Sequence, residues 1–287
     1  MVWSLQAPIQ LSDNQFVQWS KLVESRTGIQ LSGQQKALLQ TQVTLRMREL
    51  GFQDFNDYFA QVTQGLSGLR EWSKLVDRLT VQETSFFRHR PSLEYVRRFL
   101  QNRINNSCVG KSFDIWSLGC ASGEEAYSLA MVANDCFELA MLPPYYGVTA
   151  MDISQSALEQ ARRGCYSRGK LGALHPDEAR RYLTERDRGH FQVVDKLRDR
   201  VCFCSANVAQ TTSLPKVKVD VIFCQNLLVY FRRWLRRDIL NALADRLKPG
   251  GVLIVGLGEV VDWEHPRLFR VMGTEVQAYI RDERQKQ

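Results

Sequence analysis

No stretch of this 287-residue sequence approaches the roughly 18 uninterrupted apolar residues that a membrane span needs, and the opening MVWSLQAPIQLSD has neither the basic residues nor the apolar centre of a signal peptide. Direct membrane insertion is therefore not expected, and the cytoplasm is the expected address. C-x-x-C pairs are missing too. The seven cysteines fall at 108, 120, 136, 165, 202, 204 and 224, a scatter that argues against structural zinc and against a disulfide framework, so no metal is expected. Histidine is scarce at four residues, and glycine and proline, at 18 and 8, are too few for collagen or linker sequence. What remains is 44% hydrophobic and 24% charged, the composition of a globular chain long enough for one large domain or two smaller ones.

Lys and Arg outnumber Asp and Glu by 38 to 31, a net charge of +7, which suits an acidic partner without identifying one. The excess is local: residues 160–200 hold eleven basic residues against six acidic ones. In FRRWLRR, Arg232, Arg233, Arg236 and Arg237 would share one face of a helix.

The first hundred residues read as helices alone. Ser12 and Asp13 suit a cap for a helix carrying Phe16, Trp19 and Val23, with Gly28 ending it. A second helix is expected over about 32–50, with Leu38, Leu39, Val43, Leu45 and Met47 as core candidates, and a third places Phe52, Phe55 and Phe59 at helical spacing. Further helices are expected near 69–79 and 91–102. From residue 113 short apolar runs alternate with helical stretches, the pattern of a mostly parallel sheet flanked by helices. FDIWSLG, YYGVTAMD, DRVCFCSA, VDVIFCQN and GGVLIVGLG read as its strands. Residues 164–200 are too long for a simple connection and too polar for a core, and so read as an inserted subdomain. The expected domains are a helical one over 1–85, a linker helix over 86–112, and an α/β domain over 113–287.

Chemistry concentrates at the strand ends. In LGCASGEEAYS, Gly119 and Gly123 bracket a loop between a strand and a helix, where backbone can approach a ligand closely. Their spacing is neither G-x-G-x-x-G nor a P-loop. Glu124 and Glu125 follow at once, and two carboxylates at a helix start repel a pyrophosphate but accept hydrogen bonds from an ammonium group. Asp152 ends the next strand, where an acid in a nucleotide-binding fold accepts hydrogen bonds from ribose hydroxyls. Asn207 and Asn226 end the following two strands, so four successive strands finish in small or polar residues at one edge of the sheet.

These features, with the LKPGG turn before the last strand, resemble the S-adenosylmethionine-dependent methyltransferase fold, a Rossmann-like sheet. Along nearly its whole length the chain resembles the CheR family of chemoreceptor glutamate methyltransferases. The matching stretches are LTVQETSFFR (79–88), WSLGCASGEEAYSLAM (116–131), DVIFCQNLLVYF (220–231) and LKPGGVLIVG (247–256). The resemblance implies S-adenosylmethionine as cofactor, S-adenosylhomocysteine as product, and glutamyl methyl esters formed on the cytoplasmic signalling region of a methyl-accepting chemoreceptor. It places cofactor contacts at Gln82, Thr84, Arg88, Gly119, Glu125, Asp152, Asn207, Val208, Gln225 and Asn226, and puts Arg88 and Tyr230 beside the reacting carboxylate. It also implies a receptor-facing basic surface on Lys36, Arg46 and Arg48 or on the insertion, which in some members grips a receptor tail peptide.

Several positions depart from the family pattern: Gln82 for Asn, Ala126 for Pro, Gln225 for Arg, and GLGE at 256–259 for GHSE. They leave room for a different receptor type, including one serving twitching motility. Two alternatives compete with the leading expectation, a non-catalytic cofactor-binding scaffold and an RNA methyltransferase. The sequence lacks the Asn/Asp-Pro-Pro-Tyr/Phe motif of many base amino-methyltransferases, and no nucleic-acid partner is expected.

Overall fold

A computed structural model of the chain describes residues 10–273 and 275–283. It divides into two units, 1–81 and 82–287, a division a few residues before the 85/86 boundary expected from sequence.

In the first unit, Ser12 opens α1 (Asp13–Thr27) with a reciprocal capping box. Its hydroxyl accepts the Gln15 N–H while the Gln15 side chain accepts the Ser12 N–H. Gly28, at φ 80°, ends the helix. Next come α2 (Lys36–Leu50), α3 (Phe55–Thr63) and α4 (Gly65–Leu79). Their apolar faces enclose Trp19, Leu39, Val43, Met47, Phe55, Tyr58, Val62 and Leu75. Leu38 and Leu45, expected in this core, are exposed instead, because helical period leaves them on the far side of α2 from Leu39 and Val43. Phe52 precedes α3 rather than lying on it, though its ring packs beside Tyr58.

Arg46 corrects a second expectation. Far from facing a receptor, it is buried, with its Nε and Nη2 donating to Glu71 at 2.8 and 2.6 Å. Glu71 also accepts the Tyr58 hydroxyl at 2.7 Å. A charge taken out of water must be paired and hydrogen-bonded, and this cluster meets that need inside the four-helix unit.

The second unit begins with α5 (Arg90–Asn105), followed by β1 (Phe113–Leu118), α6 (Glu124–Leu139), β2 (Tyr146–Asp152) and α7 (Gln155–Arg163). The insertion then supplies β3 (Cys165–Ser167), α8 (Pro176–Tyr182), β4 (Leu183–Asp187), β5 (His190–Val193) and α9 (Asp195–Arg198). The main sheet resumes with β6 (Val201–Ser205), β7 (Val219–Cys224), α10 (Arg233–Arg246), β8 (Leu247–Val255), β9 (Leu268–Arg270) and β10 (Gln277–Arg281).

The seven-stranded sheet runs β6-β2-β1-β7-β8-β10-β9, parallel from β6 to β8 and antiparallel beyond. The five strands read from sequence form its parallel part. Chain order reverses between β1 and β7, and the carboxyl ends of those two strands form the switch-point crevice where open α/β sheets bind ligands. The antiparallel pair β9 and β10 was not expected. Its central strand buries Gln277 and Arg281, which interrupt the apolar run by which a buried strand is recognised. Both are satisfied: the Gln277 amide donates to the Val260 carbonyl at 2.7 Å and Arg281 to the Leu247 carbonyl at 2.6 Å.

The insertion folds as a three-stranded antiparallel sheet, β3-β5-β4. Tyr166 roots it beside the glycine loop, donating its hydroxyl to the Ser122 carbonyl at 2.7 Å with its ring edge-on to Phe86.

Candidate functional site

β1 delivers the chain into a loop that only glycine can build. Gly119 lies at φ +72°, and a Cβ there would meet the Leu227 side chain at 3.1 Å; Gly123, at φ +94°, would press a Cβ to 2.8 Å from Ala161. Between them Ala121 turns its N–H onto Asp152 at 2.8 Å, tying the end of β1 to the end of β2. The other Asp152 oxygen accepts the Ser154 N–H at 2.9 Å, and the Ser154 hydroxyl accepts the Gln82 amide at 2.9 Å. Gln82, Ser154, Asp152 and the glycine loop thus form one hydrogen-bonded network.

Glu125 stands on the first turn of α6 and accepts the Ser117 hydroxyl at 2.7 Å. The residue keeps some exposed surface, but its carboxyl is enclosed, and that burial pushes its pKa up to about 8. The Ser117 hydrogen bond and the Arg88 charge pull the other way, while the Glu259 carboxyl adds to the rise. Glu124 is fully buried, its carboxyl likewise raised by burial, with Ser122 donating to it at 2.7 Å and the Lys170 ammonium 3.5 Å away.

The segment before α5 carries the remaining charge. Arg88 is exposed and braced by a 2.8 Å bond from Nη1 to the Glu83 carbonyl. The Thr84 carbonyl accepts the Lys170 ammonium at 3.1 Å. Phe87 is held at φ 49°, its buried N–H donating to Ser128 at 3.0 Å. Tyr230 is half-buried; burial raises its hydroxyl pKa, and the Arg88 charge opposes that rise. Arg88, Glu125 and Tyr230 therefore share one electrostatic neighbourhood.

At the other strand ends, the Asn207 side chain accepts the Ala209 N–H at 2.9 Å and Val208 is buried. Asn226 is exposed at φ 56°. Gln225 behaves differently. Its amide turns into the interior, donating to Ser92 at 2.7 Å and to the Val255 carbonyl at 3.3 Å, so its donors serve the packing of α5 on the sheet.

Sequence reasoning passed over Glu259. It is buried, one carboxylate oxygen accepts the Gly256 N–H at 2.9 Å, and its other oxygen has no hydrogen-bond partner among the described residues. Burial raises its pKa, while the Gly256, Val229 and Asn226 amides draw it down. The signal was present in GLGE at 256–259: a carboxylate one turn past a strand end, facing the same edge as the other site residues.

The donor set fits S-adenosylmethionine. That molecule presents an ammonium group and a ribose diol, which call for carboxylate acceptors and close backbone. Glu125 supplies a carboxyl left largely neutral for want of a cation, Asp152 a carboxylate fixed by two amides, and Gly119 a close approach. Among the described residues there is no cluster suited to a metal ion, and no helix is long and apolar enough to cross a membrane.

Comparison with known proteins agrees on both units. Residues 14–80 match the model for the CheR methyltransferase all-alpha domain, and residues 82–278 match that for the CheR methyltransferase SAM-binding domain. The chain is 30% identical over 275 residues to a chemotaxis protein methyltransferase of Salmonella typhimurium, covering 95% of this chain and 92% of that one. It is 32% identical over 245 residues to chemotaxis protein methyltransferase 1 of Pseudomonas aeruginosa, covering 84% and 88%. With both units matched and the cofactor edge built as described, the chain belongs to the CheR methyltransferase family.

Proposed function

We propose that this chain methylates glutamate side-chain carboxylates on the cytoplasmic signalling region of a methyl-accepting chemoreceptor, giving glutamyl methyl esters in chemosensory adaptation. The observation that carries the reading is the gathering of Arg88, Tyr230 and Glu125 in one electrostatic neighbourhood beside the glycine loop. The similarity to chemotaxis protein methyltransferases supports the receptor as acceptor. Gln82, Thr84, Gly119, Glu125, Asp152, Asn207, Val208 and Asn226 are the proposed cofactor contacts, and Arg88 and Tyr230 the proposed catalytic pair. Gln225 contributes from beneath, by tying α5 to the end of β8.

S-adenosylmethionine supplies a methyl group on a cationic sulfur. A glutamate side chain, with a pKa near 4.3, is ionised at pH 7 in roughly 500 molecules for each protonated one. The acceptor needs no general base, which accords with a site to which no histidine is assigned. Arg88 suits the task of orienting the incoming carboxylate, since its Nη1 bond to the Glu83 carbonyl already fixes the guanidinium, and the Tyr230 hydroxyl can donate one further hydrogen bond. Opposite charges cancel as the carboxylate oxygen–methyl bond would form and the methyl–sulfur bond break, its electron pair leaving on a neutral thioether, so enclosing the site favours the step. Holding the two reactants in line can contribute on the order of 7 kcal/mol.

The test incubates the protein with radiolabelled S-adenosylmethionine and a purified receptor signalling region. Label released as methanol by mild alkali is the expected result. Base-stable label on the receptor, or label transferred to RNA in competition, would overturn the reading.

A further inference from the structure

The FRRWLRR segment identified in the sequence has no part in the site described so far. Its residues open α10, and they line a groove of about 970 Å³ whose opposite wall is the turn at 259–263. We propose that this groove docks the acidic helical segment of the receptor that carries the modified glutamate, an assignment that rests on the proposed function.

The groove is rigid where it meets the site. Arg236 does not face solvent as a free charge: its guanidinium donates to the carbonyls of Phe231 at 2.8 Å, Val229 at 3.1 Å and Glu259 at 3.4 Å. One side chain thereby welds the start of α10, the loop bearing Tyr230, and the turn holding Glu259. Arg233 lies three positions after Tyr230, at most about 11 Å along the chain. A helix lying in the groove therefore passes within side-chain reach of the proposed acceptor position.

The walls have the chemistry of an interface. Trp234 and Val261 are each 61% exposed, while Leu240, Val260 and Trp263 beneath them are buried. An exposed indole over an apolar floor is the anchor type that dominates protein interfaces. Arg233 and Arg237, one helical turn apart, flank it. Arg233 pairs with Asp262, but both side chains are about three-quarters exposed, at 75% and 76%, and such a pair holds weakly enough to be exchanged. Arg237 is exposed and has no ion-pair partner among the described residues. Two arginines over an apolar strip match a helix that presents carboxylates beside its apolar stripe. The Asp262 carboxylate on the opposite wall disfavours a polyphosphate chain.

Trp234→Ala and Arg237→Glu, singly and together, are compared with wild type in steady-state methyl transfer to the purified receptor signalling region, alongside calorimetry of S-adenosylhomocysteine binding. The expected result for each single variant is a rise of about tenfold in KM for the receptor, the loss of one anchor. kcat and cofactor affinity stay unchanged, and Trp234→Phe restores most of the loss. A wild type that labels the receptor while both variants keep its KM overturns the groove and leaves the proposed function standing. A wild type that labels no receptor removes that function and this proposal with it. Self-association of the wild type that Trp234→Ala abolishes would assign the groove to a second copy of the chain, and RNA binding that Arg237→Glu abolishes would assign it to nucleic acid. Either result overturns the proposal.

Discussion

Phe87, Ala121 and Asn226 hold φ at 49°, 44° and 56°, in a region where a side chain costs on the order of 1–3 kcal/mol. All three belong to segments that frame the candidate site, and such strain persists only where surrounding bonds impose it. Glu125 carries the corresponding electrostatic tension. With its carboxyl at about 8, the cofactor-free protein at pH 7 holds that group mostly protonated, whereas an ammonium ligand selects the ionised form. Binding of S-adenosylhomocysteine at pH 7 should therefore release close to one proton. Calorimetry in two buffers of different ionisation enthalpy measures this release, and Glu125→Gln should abolish it. A wild-type binding enthalpy independent of buffer would show that Glu125 does not meet the ammonium. Glu125 and Asp152 were legible in the sequence because their chemistry is their residue type, one at the start of α6 and the other at the end of β2. The φ of Phe87 is not written in its identity, and the inward turn of Gln225 depends on Ser92, 133 positions away, a contact no local pattern announces.

At the scale of elements, the segment at 82–89 is latched by the insertion. Lys170 donates to the Thr84 carbonyl and stands 3.5 Å from the buried Glu124 carboxylate. Arg90 donates to the Ala173 carbonyl at 2.6 Å and pairs with Glu178 at 2.9 Å. Lys170→Met leaves Glu124 without its cation. Because Lys170 is itself 39% exposed, the expected loss of stability is about 1 kcal/mol, well below that of a fully buried pair. The weakened latch should also raise the Kd for S-adenosylhomocysteine several-fold. Adding Glu124→Gln removes the buried carboxyl that Lys170 faces, so the double variant should recover stability relative to the single one. Thermal unfolding and calorimetry of the three variants check both effects, and strictly additive losses would show that the two residues are not coupled. The parallel strands were legible as apolar runs with polar ends. The insertion was legible only as an overlong polar connection, because β4 is exposed beyond its first residue and lacks the alternation that reveals a half-buried strand.

Across the whole molecule, among the described residues, three carboxyls with raised pKa lie at the cofactor edge, while Glu138, Asp177 and Glu178 elsewhere in the same unit are lowered like those of the helical unit. Asp13, Glu49 and Glu71 of the helical unit are lowered: a lysine hydrogen bond lowers Asp13, and arginine hydrogen bonds lower Glu49 and, against burial, Glu71. Their stabilisation is present above the ordinary carboxylate range and is lost as pH falls through their folded values. Glu124, Glu125 and Glu259, at the cofactor edge of the other unit, are raised by burial. For Glu125 the window runs from about 4.5 to about 8: across it the folded chain retains a proton that the unfolded chain has released, so this edge loses stability as pH rises, and Glu124 and Glu259 act in the same direction. On the proposed reading the cofactor's ammonium selects the ionised Glu125, so binding reverses the trend, stabilising with the logarithm of ligand concentration over Kd. Segment-resolved hydrogen exchange should show the edge around 117–128 losing protection from about pH 5 to pH 8 after correction for intrinsic exchange. Saturating S-adenosylhomocysteine should restore the most protection near the upper end. Protection that instead rises with pH in the cofactor-free protein would mean that these carboxyls are already ionised and that the edge needs no cation to settle it.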